Sequence, residues 1–144
     1  MDDPSEVNQV DVTRLRIHAR KRDWSEVDKI CSKNKDHLSM GQRILWIRSL
    51  FLTHKYDECY ELCQRVLEEE QFDIETLRFR ARSANKIPLS NKQIRSDWEA
   101  LIRAVPGDPE SINYISRTKK MGKKISFIDA FYAIMSLFKY KFFH

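Results

Sequence analysis

Three stretches of this chain carry one helix–turn–helix pattern at a spacing of about 34 residues. In each, a first helical pattern ends in a short polar turn and a second follows. In the first two copies an aromatic residue opens the second helix, Trp24 and then Tyr56. An aliphatic or small residue stands three positions later (Val27, Cys59), and another apolar residue four beyond that (Cys31, Cys63). The third copy places Ile94 and Trp98 at the latter two positions. One helical pair cannot bury its own apolar face, so repeated pairs must stack. The expected fold is all-α, a right-handed helical-repeat solenoid of about four helix pairs, with Val27, Cys31, Cys59, Cys63, Ile94 and Trp98 buried between pairs.

Periodicity and breakers set the expected helices at 11–21, 24–34, 39–53, 56–70, 73–86, 91–104, 109–119 and 124–141. Residues 1–9 read as a flexible leader, with Asp11 as a candidate cap, and 10–141 as the helical-repeat domain. Ser39, Asp73 and Ser90 each precede an apolar-periodic run, where a side-chain oxygen satisfies backbone N–H groups left open by the first turn. Pro88 falls in the turn of the third pair. Pro106-Gly107-Asp108-Pro109 ends one helix and opens the next. Three glycines and 33% charged residues suit helices better than sheets.

The chain resembles the tetratricopeptide-repeat (TPR) family over most of residues 8–141. The resemblance rests on the segments KRDWSEVDKI and THKYDECYEL, and on WEALIRAVPGDPES with Pro106 at the family's proline. Departures are visible. The family's small residue in the first helix is matched by Ala81 but replaced by Leu15 and Ile47, and its small residue late in the second helix by Asn34, Val66 and Leu101. The resemblance implies a concave groove lined by the first helix of each pair, and a protein-interaction scaffold. By that phasing Arg16, Arg48 and Arg82 occupy equivalent groove positions, with Arg78 and Lys86 one turn to either side of Arg82, and Lys119 and Lys120 extending the strip. Forked, charge-assisted bonds from such a strip would favour an acidic peptide or protein. The competing account is that these side chains lie over apolar surface and pair with neighbouring Glu residues. Some family members grip the terminal carboxylate of acidic chaperone tails with Lys and Asn. Arg16 in place of that Asn argues against the same specificity.

Other chemistries find little support. Cys31, Cys59 and Cys63 are odd in number and form no paired framework, which favours a reducing, cytoplasmic setting. Cys59 and Cys63 with nearby His54 superficially suggest a metal site, but their repeat positions make them core residues, so no metal and no other cofactor is expected. His18, His37, His54 and His144 are scattered, and no glycine-rich phosphate loop exists, so no enzyme is expected. The net charge of +5 permits an acidic partner without requiring nucleic acid, and the run RLRIHARKR lacks interleaved aromatics. No leader with a hydrophobic run and no apolar run of about eighteen residues is present, so no signal peptide and no membrane span is expected.

The last expected helix is apolar on more than one face, through Phe127, Ile128, Phe131, Ile134, Met135 and Phe138. It requires a cover: a further domain, a second copy or a membrane surface. Phe127, Phe131, Ile134 and Phe138 are the candidate interface, with self-association the leading expectation for the isolated chain. Alternatives to the scaffold are a regulatory or docking domain of a larger enzyme and an RNA-associated helical repeat.

Overall fold

The computed structural model describes residues 13–121, with side chains through residue 118. Helix α1 covers residues 13–20, followed by α2 (Trp24–Lys33) and a 3-10 turn (Lys35–His37). Then come α3 (Met40–Leu52), α4 (Tyr56–Glu69), α5 (Ile74–Ala84), α6 (Asn91–Ala104) and α7 (Pro109–Met121). Among the described residues there is no strand. The expected helix 124–141, and the cap at Asp11, lie outside the described residues.

Local chemistry sets the helix starts. Ser39 and Gln42 form a reciprocal capping box, with Gln42 N donating to Ser39 Oγ at 3.2 Å and Ser39 N to Gln42 Oε1 at 2.8 Å. Asp73 Oδ2 accepts from Thr76 N at 2.9 Å, and Ser90 Oγ from Gln93 N at 3.1 Å. All three expected caps are thus present. Asp108 does the same for α7, accepting from both the backbone and the hydroxyl of Ser111 at 2.8 Å, with Pro109 supplying the first helical position.

The turns within the first two helical pairs, α1–α2 and α3–α4, share one hydrogen-bond pattern. Arg22 N donates to Ala19 O and Asp23 N to His18 O; 32 positions on, His54 N donates to Phe51 O and Lys55 N to Leu50 O. Both turns pass through a left-handed residue, Arg22 at φ 58° and His54 at φ 64°. This is the hydrogen-bond pattern of a Schellman helix end, made without glycine. The repeat seen in the sequence therefore extends to the backbone, though these two turns are 32 rather than 34 residues apart. The third turn is different: α5 ends at Ala84, and Lys86 N bonds Ser83 O at 2.9 Å before Pro88.

The chain divides into two compact units, Met1–Pro88 and Leu89–His144. In the first, α2 packs on α3, α3 on α4, and α5 on both α4 and α3. One apolar cluster joins Leu15 to Val27, Ile30, Cys31 and Leu38. A second gathers Ile47, Leu50, Cys59, Leu62, Cys63, Val66 and Phe79. Trp46 packs against both. Its indole Nε1 donates at 2.9 Å to Asp28 Oδ1, a buried carboxylate that also accepts from Lys55 Nζ at 2.6 Å and Ser32 Oγ at 3.2 Å. One acidic side chain on α2 therefore holds α3 and the start of α4, and its burial is offset by three donors.

In the second unit α6 packs on α7, and the Trp98 and Tyr114 rings stack at 5.2 Å with an interplanar angle of 17°. Burial and then the charge of Glu99 push the Tyr114 hydroxyl above its ordinary pKa, against the opposing charges of Arg95 and Arg117. Five of the six expected core residues are buried. Ile94 is the exception and is only half-buried.

Candidate functional site

The sequence-derived groove residues fall mainly on α1, α3 and α5. Arg16 is exposed on α1. On α3, Arg48 Nη2 donates to Glu75 Oε1 at the first turn of α5, so Arg48 is engaged by a carboxylate 27 positions away. Both side chains remain partly solvated, 42% and 36% exposed, which puts this pair in the weak class of about 0–1 kcal/mol. Glu75, Arg78 and Arg82 stand at i, i+3 and i+7 on α5 and share one side of that helix. Since Arg48 reaches Glu75, Arg48 and Arg82 belong to the same face of the first unit.

Arg82 lies over the Phe79 ring, with its guanidinium carbon 5.4 Å from the centroid. Phe79 tilts against Phe51 at 5.4 Å, and Phe51 meets the edge of Tyr56 at 5.3 Å. Tyr56 Oη and His54 Nδ1 share a hydrogen bond of 2.6 Å. Phe79, Phe51 and Tyr56 thus form an aromatic row, and the Arg82 guanidinium lies over its Phe79 end. Arg78 is half-buried and Lys86 exposed. Lys86 lies two residues beyond the end of α5, so it belongs to the turn and not to the helical strip expected for it. Lys119 lies in α7 with its side chain outside the described set, and Phe127, Phe131, Ile134 and Phe138 are outside the described residues.

The cysteines are free thiols and fully buried. Burial, and then the charge of Asp28, push the Cys31 thiol up to about 12. Cys59 donates to Ile47 O at 3.5 Å. A hydrogen bond with Cys63 holds the Cys59 thiol below its ordinary value, against the opposing effect of burial and with help from Ser83. Among the described residues no group of three or more His, Cys, Asp or Glu is placed to hold a metal ion. No helix among them is long and apolar enough to cross a membrane.

A second surface was not legible in the sequence. Two adjoining clefts, of about 250 and 330 Å³, open along α4 and share Lys35, Trp46, Leu62 and Arg65. Trp46 and Arg48 are two positions apart, about 200° around a helix of 3.6 residues per turn, so these clefts open on the other side of α3 from the arginine face. The half-buried Trp46 between apolar Leu45 and Ile47 was the only local signal.

Compared with protein-family models, curated proteins and solved structures, the chain finds no match in any of the three.

Proposed function

We propose that this chain is a non-catalytic protein-interaction scaffold of the tetratricopeptide type, a stacked helical-repeat solenoid that takes an acidic peptide or acidic protein segment on its arginine face. The observation that carries the reading is that Arg48 pairs with Glu75, which shares one side of α5 with Arg82, while Arg82 lies over Phe79. Arg48 is held by Glu75 only through a partly solvated pair, so an incoming carboxylate can exchange for Glu75 at little cost. Arg82 is oriented by Phe79, and its planar guanidinium suits carboxylate geometry. The hydrogen-bond pattern shared by the α1–α2 and α3–α4 turns supports the repeat architecture. Three buried thiols suit a reducing, cytoplasmic setting.

The test is fluorescence anisotropy with a labelled peptide of alternating Glu and Leu, at low salt. The double variant Arg48→Glu/Arg82→Glu is expected to weaken binding at least about tenfold with unchanged helical circular dichroism, because reversal adds repulsion to lost attraction. Binding that survives the double reversal overturns the reading.

A further inference from the structure

The clefts along α4 form one elongated groove whose chemistry changes from end to end. At the N-terminal end of α4, Glu58 and Glu61 line it. The floor is apolar, made by Leu50 in the cleft of these glutamates and by Trp46 and Leu62 in both clefts. Lys35 and Arg65 line both clefts, Arg65 one turn and more beyond the glutamates along α4, and the far cleft adds Arg43, which is paired with Glu69 at 2.5 Å, and Asp36. Among the described residues neither Lys35, Arg65 nor Glu61 takes part in an ion pair. The indole N–H of Trp46 is already donated to Asp28, so what Trp46 offers the groove is apolar ring.

We infer that this groove is a second protein-docking site, and that it takes a short amphipathic peptide segment with a basic end, an apolar middle and an acidic end. The argument is charge complementarity along a line. Glu58 and Arg65 are seven residues apart on α4, about 10 Å at 1.5 Å per residue. That is two helical turns, the reach of one amphipathic segment that sets a cation against the glutamates, an apolar side chain on Trp46 and Leu62, and a carboxylate against Lys35 and Arg65. A peptide of a single charge sign meets like charge at one end, so the groove rejects what the arginine face across α3 accepts.

The experiment compares three labelled peptides of about a dozen residues with the same leucine-containing centre. One carries Lys at one end and Glu at the other, one Glu at both ends and one Lys at both. The full chain is expected to bind the mixed peptide at least about tenfold tighter than the Lys-ended one, and Lys35→Glu/Arg65→Glu is expected to remove that preference. Glu58→Lys/Glu61→Lys makes the groove predominantly basic and is expected to transfer its preference to the Glu-ended peptide. Arg48→Glu/Arg82→Glu leaves mixed-peptide binding unchanged, which separates this site from the arginine face. All four groove positions are on or near the surface, and circular dichroism verifies that each variant is folded. The inference is overturned if the mixed peptide fails to bind, if it binds no better than the Lys-ended peptide, or if the groove variants leave its affinity unaltered.

Discussion

Lys55 Nζ donates to Asp28 Oδ2 across 2.6 Å, tying the residue just before α4 to the middle of α2. The two residues are 27 positions apart, and their contact lies beside the Trp46 indole, which uses the other carboxylate oxygen. A single buried carboxylate thereby ties α2 to α3 and to the start of α4.

Removing that carboxylate should be costly. Asp28→Ala leaves Trp46 Nε1 and Ser32 Oγ without their partner and is expected to destabilise the first unit by about 2 kcal/mol. Lys55→Met is expected to cost about 1–3 kcal/mol, because it leaves Asp28 buried with less compensation. Urea melts of the two singles and the double measure the coupling, which should be non-additive.

The same group sets an acid limit. Burial works to raise the Asp28 pKa, but hydrogen bonds from Lys55, Trp46 and Ser32 with the Lys55 charge outweigh it and hold the group below its ordinary 3.8. A depressed acid contributes stability that is present above its unfolded value and lost as pH falls through its folded value. The stability difference between wild type and Asp28→Asn should therefore be constant above pH 3.8 and shrink below it.

Cys31 defines an alkaline counterpart. Its thiol ordinarily ionises at 9.0 and is pushed up to about 12, so its contribution is complete below pH 9.0 and is lost as pH rises through 12. Cys31→Ala should flatten the alkaline slope of the stability curve. In the native state all three thiols should react with an aromatic disulfide reagent only as fast as the protein opens, and at once in denaturant.

Arg22 occupies left-handed backbone at φ 58° with an exposed side chain. Arg22→Gly removes the strain of a side chain in that region while adding freedom to the unfolded chain. The expected result is a gain of up to about 1 kcal/mol in thermal or urea unfolding. His54→Gly at the equivalent position should gain less, because it also deletes the hydrogen bond to Tyr56.

Helix starts were legible because Ser39, Asp73, Ser90 and the Pro106–Pro109 break act within a few residues of themselves. The buried positions of Val27, Cys31, Cys59, Cys63 and Trp98 followed from periodicity for the same reason. The end of α5 was only partly so: Pro88 announces a stop nearby but not that it falls at Ala84, and the place of Lys86 in the strip changed accordingly. The pairing of Arg48 with Glu75 was hidden too, since a 27-residue separation carries no periodic signal. The α4 groove depends on how closely the 3-10 turn at Lys35–His37 approaches Arg65, which only the packed chain reveals.

The boundary at Pro88 falls inside the third helical pair, leaving α5 with the first unit and α6 with the second. The repeat read from the sequence and the module that coheres physically are thus out of phase by one helix. Anyone dissecting or grafting this chain gains nothing by cutting between repeats, since a cut between α4 and α5 would strip Phe79 from the Phe51 cluster. A fragment ending at Pro88 keeps α5 as a closing helix over α4, together with both recognition faces proposed for the first unit.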